Sequence, residues 1–196
     1  MDNVEQVWLQ QAIQGNQDAF TYIVETYQRP VFNLCYRMLG DPQEAEDAAQ
    51  ETFWRAYQAL RRYDQQRSFA TWLLSIAAHF CIDQQRKRRF PILPLDILPE
   101  EDAPDPAPNP EKVFAELEQQ GQMQKLLARL GPQDRAAIIL RYWYEFSEEE
   151  IARTLSLTVS AVKSRLFRAR KELATAWETQ PAHSLPERRK NESPAL

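Results

Sequence analysis

The sequence predicts an all-α protein of two small helical domains joined by a proline-rich, acidic linker, the second domain carrying a helix-turn-helix. Three observations predict it. Apolar residues recur at three- and four-residue steps through most of the chain, and no segment sustains the period-two alternation of a half-buried strand. Capping residues and helix breakers cut these stripes into separate helices. Residues 91–110, PILPLDILPEEDAPDPAPNP, hold most of the prolines and a run of acids. Proline removes backbone donors and blocks helix, so this stretch reads as an extended linker and a domain boundary. The expected division is a helical domain over 1–90, the linker over 91–110, a second domain over 111–178 and a loose tail over 179–196. With 196 residues in all, each half lies near the lower end of sizes that bury an adequate core.

The elements follow in order. Val4, Trp8, Leu9, Ala12 and Ile13 form the first stripe, which Gly15 ends. Asn16 can cap a second helix that buries Ala19, Phe20, Ile23, Val24 and Tyr27. Pro30 is expected to open a third, with Val31, Phe32, Leu34, Cys35 and Leu39 apolar, closed by Gly40. Asp41-Pro42 restarts the chain with an N-cap, a proline at N1 and Glu44 at N3, and that helix runs to about Leu60. A polar break, Asp64 to Ser68, leads into a long helix from Phe69 to about Arg89. Helix resumes near Glu111, and Gly131-Pro132 breaks it and starts another with Ala136, Ile139, Leu140 and Trp143 inward.

Ser147 to Leu173, SEEEIARTLSLTVSAVKSRLFRARKEL, reads as the helix-turn-helix. Ser147 and Glu150 make a capping box, and Ile151 and Leu155 supply one apolar face. Leu157 plugs the turn and Thr158 caps the second helix. Val159, Val162, Leu166, Ala169 and Leu173 then give one buried stripe, opposite Lys163, Arg165, Arg168, Arg170 and Lys171. An apolar back and a cationic front suit a major groove and its phosphates, although an ordinary solvated helix shares the pattern.

The formal net charge is −4, but its distribution matters more than its sum. Arg61 to Arg89 and Lys163 to Lys171 are basic, with the acidic linker between them. A subunit that works docked on a larger cationic partner need not be basic overall. MDNVEQVWLQQ has neither the basic region nor the apolar run of a signal peptide. No apolar run approaches the roughly 18 residues of a membrane helix. A cytoplasmic protein without direct membrane insertion is therefore expected, with Cys35 and Cys81 as reduced, mostly buried thiols. No CxxC, P-loop, Rossmann glycine motif or HExxH occurs, and four glycines leave little for phosphate cradles. His79 and His183 lack a nucleophile partner. These features point away from an enzyme; no catalytic residue, cofactor or metal is expected.

Three strings resemble the extracytoplasmic-function sigma factors, the smallest members of the sigma-70 family. SLTVSAVKSRLFRAR is similar to their second conserved region. EAEDAAQETF followed by FWRAYQAL resembles the family's most diagnostic segment, which docks on the clamp helices of the largest RNA polymerase subunit. YDQQRSFATWLLSIAAHFCIDQQRKRR resembles the promoter-melting region. The resemblance runs from about Asp18 to Trp177 in the family order. It implies a factor that directs core RNA polymerase, through the clamp helices and flap, to promoter DNA and helps melt it. It also implies an anti-sigma factor as regulator. The alternative is a polymerase-independent helix-turn-helix repressor, against which the second and third strings argue.

The resemblance also implies roles for residues. Glu46, Asp47, Gln50 and Glu51 face the polymerase, on a helix whose Ala45, Ala48, Ala49 and Phe53 pack inward. Taken alone, that run reads first as a solvated acidic face, as most such runs are. The loop Asp64, Gln65, Gln66, Arg67 and Ser68 captures a base flipped from the −10 element, with Trp72 and the track Arg86, Lys87, Arg88 and Arg89 nearby. Aromatics interleaved with cations suit unpaired bases and their phosphates, although Phe69, Trp72, Leu73, Ile76 and Phe80 also read as core. Lys163, Ser164, Phe167 and Arg168 face the bases of the −35 element, and Arg165 and Arg170 are candidates for phosphates or intraprotein pairs. In the family the linker threads toward the polymerase active site, and acids such as Asp96, Glu100 and Asp105 would suit a cationic channel.

Overall fold

The computed structural model describes residues 3–65, 67–89 and 121–179, all of it helix and connecting turns. Helix α1 spans Asn3–Ile13 and α2 Gln17–Leu39. Helix α3 spans Pro42–Ala59, followed by a single 3-10 turn, Leu60–Arg62. Helix α4 is Phe69–Arg89. After the undescribed stretch, α5 covers 121–129, α6 Pro132–Trp143, α7 Glu148–Leu155 and α8 Val159–Glu178. The linker, the start of the helix expected near Glu111 and the tail beyond 179 lie outside the described residues.

Most boundaries follow from local chemistry. Asn16 accepts from the Ala19 N–H at 3.2 Å, and Asp41 from the Glu44 N–H at 2.8 Å with Pro42 at N1. Gly40 closes α2 in the left-handed region at φ 88°, its N–H donating to the Tyr36 carbonyl. One expected boundary is absent. Pro30 does not open a third helix; it lies inside α2. The missing N–H removes one backbone bond, and an interior proline costs about 3 kcal/mol. Packing outweighs that cost, because Ala19, Ile23, Val31, Leu34, Cys35 and Met38 keep one buried phase straight through it.

Helices α2, α3 and α4 pack on one another, with α1 laid against α2. Ala45, Ala48, Ala49 and Ala56 keep the buried side of α3 thin, so α2 approaches it closely. Thr52, fully buried there, donates its hydroxyl to the Ala48 carbonyl at 2.7 Å. Cys35 of α2 and Cys81 of α4 are free, buried thiols that meet across this core; the hydrogen bond to Cys35 and burial push the Cys81 thiol up.

Helices α6, α7 and α8 pack together, and α6 and α7 also pack against α4. The buried side chains from both sides of the undescribed stretch form one continuous cluster. Polar contacts cross the seam. Arg135, itself buried, donates from Nη1 to the Met38 carbonyl at 2.5 Å. Gln124 donates to the Tyr36 carbonyl at 3.1 Å and the Tyr144 hydroxyl to the Pro30 carbonyl at 2.6 Å. The Arg37 guanidinium lies 5.1 Å from the centre of the Trp143 ring.

The capping box of α7 is complete: Ser147 accepts from the Glu150 N–H, and Glu150 accepts from both the Ser147 N–H and its hydroxyl. The Ser147 backbone bond, then its hydroxyl, holds the Glu150 carboxyl below its ordinary value of 4.5. A depressed folded-state pKa stabilises above the unfolded value and loses that stability as pH falls through the folded one. Replacing Ser147 with alanine should cost about 1 kcal/mol in urea unfolding near neutral pH. The penalty of Glu150→Gln should shrink as pH falls below the ordinary carboxylate range; a penalty constant across that range would show that ionised Glu150 contributes nothing to the cap.

Candidate nucleic-acid interface

The turn between α7 and α8 is made by Ser156 in the left-handed region at φ 55°, and the Leu157 N–H closes back on the Ala152 carbonyl at 2.8 Å. Leu157 packs on the core, and Thr158 caps α8 through the Ala161 N–H. Val162, Leu166 and Ala169 are buried, which fixes the rotation of α8. Lys163, Ser164, Phe167 and Arg168 therefore face outward, and Phe167 keeps 66% of its surface exposed. Arg165 departs from the expected cationic front. Its Nη1 is 2.6 Å from Asp134 Oδ1 of α6, and both side chains are mostly covered. This is one of the two roles expected of it, an intraprotein pair. Arg168 reaches the same carboxylate only at 4.0 Å and stays exposed. Lys163 lies 3.5 Å from Glu148, and Arg170 donates to the Leu166 carbonyl at 3.0 Å while its residue stays exposed.

The second candidate surface surrounds the start of α4. Asp64, Gln65, Arg67 and Ser68 are exposed; Gln66 lies outside the described residues. The Arg67 N–H bonds the Asp64 carbonyl at 3.0 Å, and the Tyr63 hydroxyl donates to the Arg67 carbonyl from below. Tyr63 is buried in an aromatic cluster, with ring centres 5.4 Å from Phe69 and 5.0 Å from Trp72. Burial pushes its phenol pKa up, so it stays a donor. Trp72 is half-buried on this cluster, which joins the core and surface readings of that residue. At the far end of α4, Arg86 and Lys87 are exposed, Arg86 lying 3.9 Å from Asp83. Arg88 is paired with Glu44 of α3. Arg89 ends the helix, and its side chain is outside the described set.

A third surface lies on α3. Glu46, Asp47 and Gln50 are exposed, while Glu51 is partly covered and pairs with Arg55 at 2.7 Å. Glu46 and Gln50 stand at the lip of an open groove of about 470 Å³ between α2 and α3, lined by Val24, Phe32, Ala49 and Phe53. Among the described residues no cluster of three or more His, Cys, Asp or Glu is placed to hold a metal, and no helix is long and apolar enough to cross a membrane.

Two family models match the chain: sigma-70 region 2 over residues 23–90 and sigma-70 region 4 over 120–173. The chain is 37% identical over 173 residues to the ECF RNA polymerase sigma factor SigW of Bacillus subtilis, covering 84% of this chain and 92% of that protein. It is 31% identical to the RNA polymerase sigma-H factor of Pseudomonas aeruginosa, covering 88% and 93%. The chain belongs to the extracytoplasmic-function sigma factors. In solved structures its fold is similar to CnrH in complex with the cytosolic domain of CnrY, at TM-score 0.66 and 25% identity over 90% of this chain and 98% of that one. RpoE of Bartonella quintana, bound to the anti-sigma factor NepR, shares the fold at TM-score 0.59 and 20% identity, over 82% and 98%.

This sigma factor directs core RNA polymerase to promoters and helps open them. The sequence reading missed Asp134, which holds Arg165 in an intraprotein pair, and Tyr63, which braces the loop Asp64 to Ser68. An acid three residues into a helix carries no sequence signal for a partner 31 residues away. Tyr63 does stand directly before the loop, but only its hydroxyl bond separates a brace from a core aromatic. Tyr63→Phe keeps the ring and removes that bond. It should leave core binding intact and slow promoter opening several-fold, measured by permanganate reactivity of thymines at the start site. Unchanged opening kinetics would reduce Tyr63 to core packing.

Proposed function

We propose that this sigma factor divides its work between residues 1–90 and 111–178, joined by the linker 91–110. The N-terminal part binds core polymerase through Glu46, Asp47, Gln50 and Glu51 and melts the −10 element through the loop Asp64 to Ser68, with Trp72 and the basic end of α4 alongside. The C-terminal part reads the −35 element through Lys163, Ser164, Phe167 and Arg168. The observation that carries this reading is the rotation of α8: its buried stripe turns those four residues outward together. Pairing with Asp134 makes Arg165 a strut of the domain, and Arg170 is left to the phosphates. Chain chemistry belongs to the polymerase, and the factor works in the cytoplasm. CnrH was solved with the cytosolic domain of CnrY and RpoE with the anti-sigma factor NepR, and by that likeness an anti-sigma factor would hold this chain in reserve. The repressor reading leaves the acidic face of α3 without a use.

Two measurements test the assignment. A base-reading arginine is worth roughly 1–3 kcal/mol of discrimination, whereas a phosphate contact weakens all sequences alike and lowers the salt slope by about one unit. Arg168→Ala should therefore weaken binding to the consensus −35 element and spare scrambled DNA, while Arg170→Ala weakens both. Equal loss on both DNAs for Arg168→Ala would remove it from the base-reading set. For core polymerase, exposed charges are individually worth about 0–1 kcal/mol. Reversing Asp47 and Glu51 together should weaken core affinity clearly and leave −35 binding unchanged; undiminished affinity would remove α3 from the interface.

A further inference from the structure

The loop Asp64 to Ser68 is held at both ends, and α1 takes part in each hold. At its start, the 3-10 turn Leu60–Arg62 leads into Tyr63 and packs against α1. At its end, Phe69 opens α4 as a buried residue. The Tyr27 ring of α2 meets Phe69 edge-on, with 5.4 Å between centres. The Tyr27 hydroxyl donates to Glu5 Oε1 of α1. Burial, then the hydrogen bond to Glu5 and its charge, push the Tyr27 phenol up, so it stays a donor. Phe69 in turn meets the Tyr63 ring edge-on, and Tyr63 donates to the Arg67 carbonyl within the loop. Glu5, Tyr27, Phe69 and Tyr63 thus form one continuous relay from α1 to the loop backbone.

Fastening α1 to α2 does not need this bond. Leu9 and Ala12 of α1 are buried, and Trp8 stacks on Tyr22 with 5.0 Å between centres, 25° from parallel. What the bond adds is direction. A hydrogen bond tolerates a narrow range of angles, so it fixes the tip of the Tyr27 side chain. Edge-to-face contacts then pass that position to Phe69 and Tyr63. A loop that takes up an unstacked base binds it better when already ordered, because the cost of ordering is not met at the moment of capture. We propose that Glu5, through Tyr27, is a positioning residue for promoter opening: the pair sets the loop Asp64 to Ser68 in the shape that captures the flipped base, so α1 takes part in opening without touching DNA. The proposal rests on the assignment of this loop to melting of the −10 element and adds to it a helix that the assignment leaves out.

The test uses the full-length chain with core polymerase on duplex promoter DNA, and reads opening by permanganate reactivity of thymines at the start site. Tyr27→Phe keeps the ring and removes the donor; it should slow opening about fivefold, the worth of one typical hydrogen bond. Glu5→Ala should slow opening as much, while Glu5→Gln, which keeps an acceptor, should recover most of the loss. Core affinity and transcription from a pre-melted bubble should stay at the parent's level in all three variants. Equal losses in opening, core affinity and bubble transcription would mark the bond as merely structural and overturn the proposal. Because Tyr27 acts through the brace that Tyr63 makes, the double variant Tyr27→Phe, Tyr63→Phe should open no more than about twofold slower than the slower single variant. Fully multiplied slowings would show that Tyr27 does not work through Tyr63, and would overturn the relay. Replacing Gln65 and Arg67 together with alanine tests the underlying assignment. If that loop change slows opening while Tyr27→Phe opens within about twofold of the parent, the positioning role is overturned and the loop assignment stands. If the loop change leaves opening unaltered, the loop is not the melting element and the role of Glu5 falls with it.

Discussion

The Met38 carbonyl is the joint on which the arrangement depends. It lies at the C-terminal end of α2, where the last carbonyls of a helix lack intrahelical donors and carry partial negative charge. Two side chains converge on it: Gln85 from α4 and the guanidinium of Arg135 from α6. Arg135 is 8% exposed, so its charge is accepted in the interior because it is spent on that carbonyl. One backbone oxygen thus ties together three helices separated by almost a hundred residues. Tyr144 on the Pro30 carbonyl repeats the device at the proline. The residue expected to open a new helix instead offers its carbonyl to the other half of the chain.

Charge is partitioned by helix. The chain is acidic in sum, yet α8 presents Lys163, Arg168 and Arg170 outward and α4 ends in Arg86 and Lys87. Among the described residues the acids concentrate on the exposed side of α3 and at the start of α7, where Glu148, Glu149 and Glu150 complement the helix dipole. Several cations are held by acids: Arg88 by Glu44 and Arg55 by Glu51, both of α3, and Arg165 by Asp134 of α6. Counting basic residues therefore overstates the surface available to DNA. The residues left facing solvent are a subset chosen by packing.

The candidate surfaces share one construction. Each stands on a helix whose opposite side is buried, so its orientation is set by the core and not by the surface residues. On α8 the stripe Val162, Leu166 and Ala169 turns Lys163, Ser164, Phe167 and Arg168 outward. On α3 the alanine side aims Glu46, Asp47 and Gln50. Beneath the loop, Tyr63, Phe69 and Trp72 form the floor on which the exposed residues rest.

By itself the sequence determined the helical class, nearly every helix boundary and the rotation of α8. Those follow from interactions within a few residues: caps at Asn16, Asp41, Ser147 and Thr158, the break at Gly40 and apolar periodicity. It determined the family as well, because the diagnostic strings are contiguous. Tertiary structure alone decided four matters. It carried α2 through Pro30, since packing across the whole stripe exceeds a local penalty. It turned Arg165 onto Asp134 and Arg88 onto Glu44, choices that depend on which helix lies opposite. It placed the Tyr63 hydroxyl beneath the loop. It left Trp54 and Tyr57 exposed, where periodicity could not distinguish an aromatic that packs from one that faces solvent. The physical reason is common to all four: the deciding neighbour is close in space and remote in the chain, or lies on the face that the buried helices leave uncovered.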